Sequence, residues 1–150
     1  MAAKGGPLPH IRRCSRADLP AIVDLFRQHW SGSEVREPQL RDSYERGLAS
    51  PRQRYVCAEI ESRVVGFGAL TLNHSLQHGA LGRVDELVVD RDYGCRGIAT
   101  RLMQTIEDLA AAAGCTRLEL DCAFHRKDEH SFYEQRHFER RALLFSKQLS

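Results

Sequence analysis

The stretch from Val84 to Ala113, VDELVVDRDYGCRGIATRLMQTIEDLAAAA, limits what this chain can fold into more than any other part of it. An apolar strand ends at Val89. A short polar turn follows, and Gly94-Cys95-Arg96-Gly97-Ile98-Ala99 opens a long helix that ends at Gly114. Backbone N–H groups in a first helical turn lack intrahelical partners, and the helix dipole adds partial positive charge at the same end. Glycines let the backbone approach a phosphate with no Cβ in the way. The segment therefore lays a helix against a strand and is shaped to hold a phosphate-bearing ligand.

The totals narrow the rest. With 150 residues, 42% hydrophobic and 28% charged, the chain suits one soluble globular domain with a real core. A net charge of +2 without a Lys/Arg tail argues against nucleic acid, and no apolar run is long enough to cross a membrane. The opening MAAKGGPLPH lacks the apolar core of a secretory signal. It reads as a flexible lead-in over residues 1–9, with a single domain expected over 10–150. Cys14, Cys57, Cys95, Cys115 and Cys122 are odd in number and form no CxxC pair. That pattern speaks against a disulfide framework or a structural zinc, no bound metal is expected, and a reducing cytoplasm is the simplest location.

Periodicity supplies the elements. Residues 11–14 read as a first strand. Ser15-Arg16-Ala17-Asp18 caps a helix with Leu19, Ile22, Val23 and Phe26 at helical spacing. A weaker helix covers 38–48. Strands follow over 54–60 and 64–72 around a tight turn at Glu61-Ser62, then a loop over 73–80, then a strand over 83–89. After the helix come a strand over 116–121, a short helix over 128–135 and a closing strand over 138–147. The order β-α-α-β-β-β-α-β-α-β predicts an α/β (α+β) fold. Its sheet is mixed, mostly antiparallel and six- to seven-stranded, with about four flanking helices.

This order and two motifs resemble the GNAT superfamily of acyl-CoA-dependent N-acetyltransferases. The first motif is Val84–Ala99. The second is Arg126-Lys127-Asp128-Glu129-His130-Ser131-Phe132-Tyr133-Glu134-Gln135-Arg136-His137-Phe138, which is similar to the family's R-x-x-A-H-x-F-Y-E-x-x-G-F segment. Within the superfamily, several features are shared with the aminoalkylphosphonate N-acetyltransferase type. They are Arg54-Tyr55, Val64-Val65-Gly66, His78, Glu86-Leu87-Val88-Val89 and Phe145-Ser146-Lys147. The departures are Gly94 where Arg or Gln is usual, Cys95 where an extra glycine is common, Glu129 for alanine and His137 for glycine. The amide cradle survives such changes because it uses backbone.

The resemblance implies acetyl-CoA as co-substrate, with its pyrophosphate on Gly94, Cys95, Arg96, Gly97, Ile98, Ala99 and Thr100. The backbone of Leu87, Val88 and Val89 would pair with the pantetheine arm and polarise the thioester carbonyl. Tyr133 becomes the general acid for the leaving thiolate, since a phenol stays protonated at neutral pH; the plainer reading makes Phe132-Tyr133 an aromatic anchor for the short helix. Glu86 becomes the base that frees the amine, directly or through water. The residues leave a plainer reading open, in which Glu86 is paired with Arg83 or Arg63. Arg54, His74 and His78 are candidates for the acceptor pocket, or else ordinary loop polarity. Cys95, at a helix start, is read as an oxidisable loop residue and not as a nucleophile.

The expected reaction is acetyl transfer to the primary amine of a small molecule by direct attack in a ternary complex. The alternatives are a protein lysine or N-terminal acetyltransferase and a non-catalytic acyl-CoA-binding module. The final strand could mediate a homodimer.

Overall fold

The computed structural model describes residues 6–150, so part of the lead-in expected over 1–9 lies outside the described residues. The sheet is organised around one long hairpin. Strand β3 (Arg63–Ser75) turns directly into β4 (Gly79–Val89), with register from Gly66↔Val89 to Ser75↔Gly79. The loop expected over 73–80 is thus mostly strand. Ser75 Oγ accepts from the N–H groups of Gln77 and His78, each at 3.1 Å, and Gly79 takes φ +71°. Together these close the chain in three residues. Strand β2 (Gln53–Ile60) pairs with β3 across Glu61 and Ser62, whose φ of +48° and +64° match the primed turns that suit a right-twisted hairpin.

Strand β1 (His10–Arg13) pairs antiparallel with β2, and β5 (Leu118–Glu119) lies parallel to β4, giving the order β1-β2-β3-β4-β5. Helices α1 (Leu19–His29) and α2 (Glu37–Ala49) precede β2, and α3 (Ile98–Ala112) joins β4 to β5. The expected Ser15 capping box forms, with Asp18 accepting from the Ser15 N–H at 2.7 Å, but it opens a 3-10 turn over Arg16–Asp18 before α1 begins.

Among the described residues five strands form, not six or seven. The strand expected over 116–121 shrinks to Leu118–Glu119, and residues 138–147 carry no regular structure. By compactness the chain divides into residues up to Glu119 and Leu120–Ser150. The second unit holds α4 (Lys127–Gln135) and, among the described residues, no strand. The apolar run Ala142–Phe145 therefore has no ladder partner within its own unit, and a strand needs one. It overlaps Leu143–Lys147, the stretch read from the sequence as able to mediate a homodimer. No helix among the described residues is long and apolar enough to cross a membrane.

The sheet of the first unit packs on both faces. On one, α3 presents buried Ile98, Leu102, Ile106 and Ala110 at four-residue spacing. It sits very close. A Cβ on Gly66 would meet Leu102 Cδ1 at 2.9 Å, and one on Gly68 would meet Ile106 Cδ1 at 2.8 Å. On the other face Ile22 and Leu25 of α1 and Tyr44 of α2 cluster with Phe67, Ala69 and Val88.

Candidate active site

One extra residue in β4 decides which side chains meet. Glu86 stands opposite Ala69 and Val84 opposite Leu70, so Asp85 is a bulge between them. Strict alternation would put Glu86 on the face of Val84 and Asp85 on the other. The bulge corrects that. Val84 faces α3 with Leu70, whereas Glu86 shares the α1/α2 face with Ala69, Phe67 and Val88. Asp85 turns to the same side, where its carboxylate accepts from the Thr71 hydroxyl. Two carboxylates adjacent in sequence thus share one face of the sheet.

The plainer reading of Glu86 fails on the partners. Arg83 sits 3.6 Å from Asp85, and Arg63 sits 3.3 Å from Asp90. Among the described residues Glu86 makes no hydrogen bond or ion pair. Partial burial, and then the neighbouring charge of Asp85, push the Glu86 carboxyl up to about 7. Tyr55 pairs with Ala69 and lies across that small residue from Glu86; burial, with Asp85 and Glu86 after it, raises its phenol above the usual range. Tyr55 is stacked on Tyr44 at 5.3 Å and held by Gln53 Oε1 at 2.8 Å. A carboxylate tuned near neutrality, unpaired and half-buried, can take and give up a proton under physiological conditions. Alternation in the sequence sets Asp85 on the other face and gives Thr71 and Tyr55 no place at the site, because only the bulge and the cross-strand register bring the three beside Glu86.

Leu87–Val89 run from Glu86 toward the glycine loop. β5 takes up β4 only at Gly82 and Arg83, so it stops short of them. The Val89 carbonyl accepts from His29 Nε2 at 2.8 Å, and the Arg91 N–H donates to Gln28 Oε1 at 2.9 Å. The end of α1 thereby pins the point where β4 leaves the sheet. A 3-10 turn over Arg91–Tyr93 follows, and then the loop. Cys95 (φ +62°) and Gly97 (φ +76°) are both left-handed, and Gly97 caps α3 with no side-chain acceptor. The first bond of the helix runs from the Arg101 N–H to the Gly97 carbonyl at 3.1 Å, so Ile98, Ala99 and Thr100 have N–H groups with no helical partner. Nothing lies within 4 Å of where a Gly97 Cβ would be. Arg96 lies over the Tyr93 ring at 4.9 Å, beside this opening. Gly94 has ordinary extended backbone.

The remaining acceptor candidates are not assembled. Arg54 pairs with Leu70, on the face opposite Tyr55 and Glu86, and donates to the carbonyls of Pro51 at 2.7 Å and Gln53 at 3.1 Å. His74 pairs with Ala80 and is exposed, as is His78 in the turn. From Ala80 to Glu86 the strand runs about 20 Å at about 3.3 Å per residue.

In the second unit, Tyr133 lies on α4 with its ring 5.3 Å from Phe132 and 5.8 Å from Phe138. Burial first, then the charges of Glu129 and Cys122, raise its phenol well above the ordinary value, so it stays protonated. Arg126 holds Glu129 at 2.9 Å. His130 Nε2 lies 2.8 Å from the Ala123 carbonyl and is used in tying α4 to its lead-in.

Known proteins are similar to this chain in sequence or in fold. The chain is 28% identical over 68 residues to glucosamine 6-phosphate N-acetyltransferase 1 of Dictyostelium discoideum, a match spanning 45% of this chain and 41% of that enzyme. In fold it is similar to a transcriptional regulator from Bacillus halodurans (TM-score 0.87, 18% identity, 94% of this chain and 99% of that one). It is also similar to an aminoglycoside 6'-N-acetyltransferase from Acinetobacter haemolyticus (TM-score 0.80, 19% identity, 94% and 99%). These likenesses do not support the aminoalkylphosphonate type, and the dispersal of Arg54, His74 and His78 removes its structural basis. The acetyltransferase (GNAT) family model matches residues 19–138, four-fifths of the chain and both of its units, so the chain belongs to that family.

Proposed function

We propose that this chain transfers an acetyl group from acetyl-CoA to the primary amine of a small molecule, by direct attack in a ternary complex. The observation that carries the reading is Glu86. It is a carboxylate without a partner, poised near neutrality, on the strand that leads into a glycine-capped helix start. Family membership supplies acetyl-CoA as co-substrate, and the residues fit it. The open space over Gly97 and the unpartnered N–H groups of Ile98, Ala99 and Thr100 suit a pyrophosphate. Arg96 adds positive charge beside them. When bound, acetyl-CoA supplies the activated acetyl group.

Glu86 takes a proton from the incoming ammonium, which titrates near 10 in water and must be neutral to attack. The backbone of Leu87 and Val88 orients the arm and donates to the thioester carbonyl; the Val89 carbonyl already serves His29. Tyr133 donates its proton to the departing thiolate, a role that rests on its place in the second motif. The acceptor reading follows from charge. The relatives named above act, by their names, on a phosphorylated amino sugar and on aminoglycosides. Asp85 and Glu86 together favour an acceptor that is cationic and carries no phosphate.

The test is release of free thiol from acetyl-CoA across a panel of amines, alongside the thermal shift that CoA produces. Thiol release with a cationic amine supports the proposal. A thermal shift with CoA and no turnover on any amine makes the chain an acyl-CoA-binding module instead.

A further inference from the structure

Cys14 and Cys57 are 43 positions apart in sequence and meet behind the candidate site. The Arg12↔Cys57 and Arg13↔Val56 pairs continue to Cys14, whose N–H donates to the Tyr55 carbonyl at 3.0 Å. Cys14 and Cys57 are therefore diagonal neighbours on one face, the face of Tyr55. Their sulfur atoms and an Asp18 carboxylate oxygen all lie within 4.8 Å of one another. Cys57 is fully buried, and Cys14 is half-buried at the end of β1. Cys14 also contacts the Tyr44 hydroxyl and packs against the core, and Cys57 is part of that core, but neither thiol takes part in acetyl transfer as proposed above.

We propose that Cys14 and Cys57 form a reversible disulfide, a covalent modification site tying the end of β1 to β2. The cross-strand placement already brings the two sulfurs within reach, so closure asks for side-chain rotation and a small approach of the backbones. The electrostatics favour Cys57 as the thiolate that closes the bond, whereas Cys14 enters first through its access alone. The thiols share a hydrogen bond that draws Cys57 below the ordinary thiol range and holds Cys14 above it, and the Arg12 charge also lowers Cys57. The other titratable groups at the cluster are Asp18, Glu59 and Tyr44. Arg12 holds both Asp18 oxygens, each at 2.9 Å, and reaches Glu59 at 3.2 Å; Tyr44 donates to the Ser15 carbonyl at 2.6 Å. This engagement of Asp18 decides against a metal ion. A cation using its carboxylate would have to displace a guanidinium and the Ser15 N–H.

The oxidant required is a small disulfide such as glutathione disulfide. Cys14, the more accessible sulfur, attacks one sulfur of it. A mixed disulfide forms, and one small thiol leaves with the Cys14 proton. Cys57 sulfur then attacks the Cys14 sulfur, forming the Cys14–Cys57 bond and releasing the second small thiol with the Cys57 proton. Two protein thiols are oxidised and one small disulfide is reduced to two thiols.

The experiment treats the reduced full chain with glutathione disulfide, alkylates it in denaturant and maps the peptides by mass spectrometry. The expected result is a peptide containing Cys14 joined to one containing Cys57, lost on treatment with dithiothreitol, and a higher Tm for the oxidised chain. Cys95, Cys115 and Cys122 appear singly, alkylated or glutathionylated. Cys14→Ser, at a half-buried position, abolishes both the joined peptide and the Tm difference; Cys57→Ala does the same, and Cys14→Ser carries the test if Cys57→Ala does not fold. Recovery of Cys14 and Cys57 as separately alkylated peptides, or of Cys14 as a persistent glutathione adduct, overturns the proposal. So does retention of zinc or copper(I) by the reduced chain through both thiols with resistance to cross-linking.

Discussion

At the scale of single residues, the pair Asp85–Glu86 is where charge and chemistry meet. If Glu86 is the base, kcat/KM for an amine rises with pH along a limb centred near 7, the value to which its carboxyl is pushed. Glu86→Gln should lower kcat by about 10²-fold and remove that limb. Asp85→Asn removes the neighbouring negative charge, so the limb should move to lower pH; a limb that stays in place in Asp85→Asn assigns it to another group. The same shift bears on stability. The folded carboxyl binds its proton more tightly than the unfolded one, whose value is near 4.5, so its contribution is complete below that pH and is lost as pH rises through about 7. Glu86→Gln should therefore melt higher than wild type at pH 8 and close to it at pH 4. Tyr133→Phe keeps the ring contacts with Phe132 and Phe138 and removes the proton, so kcat should fall by about 10²-fold with acetyl-CoA binding unchanged. Glu86 and Tyr133 were singled out in the sequence because each sits in a motif. Tyr55, Thr71 and the true facing of Asp85 were not, because they depend on which residues of three strands stand opposite one another.

At the scale of elements, the helix start and the two strands of the long hairpin were read correctly in kind, while their edges moved and the tight turn between them was not foreseen. The helix over 98–112 announces itself by four-residue spacing and a glycine at each end. The loop expected over 73–80 was misjudged because its polar residues also fit an exposed strand end. The glycines of β3 carried a signal that went unread: Gly66 and Gly68 mark where α3 approaches the sheet. Gly68→Val should cost about 1–3 kcal/mol by thermal or urea denaturation, since its side chain would meet Ile106 head-on and the neighbourhood is fully packed. Gly97 differs, because space there is open and the cost of a side chain lies in its φ of +76°. Gly97→Ala should lower Tm by a modest amount, about 1 kcal/mol in stability. Gly97→Glu should in addition lose the thermal shift produced by CoA, and an undiminished shift would remove the pyrophosphate from this loop.

At the scale of the whole chain, the sequence disclosed an α/β fold with helices on both faces of a largely antiparallel sheet. The run over 138–147 shows the limit of such reading: a stretch of consecutive apolar side chains states a willingness to be a strand, and only a ladder partner makes one. The acceptor, too, is a property of the assembled face. A cationic, unphosphorylated amine should show a higher kcat/KM than glucosamine 6-phosphate, and Asp85→Asn should narrow the gap; the reverse preference would move the acceptor's recognition away from the two carboxylates. The bulge gives this face an unusual freedom. With Asp85 excised, Val84 and Glu86 become consecutive and still point to opposite faces, as an unbroken strand requires. One codon can therefore be inserted or deleted here without re-registering either packed layer. A lineage carrying this strand could gain or shed its second acid, and with it the charge-based acceptor preference proposed above, in a single genetic step.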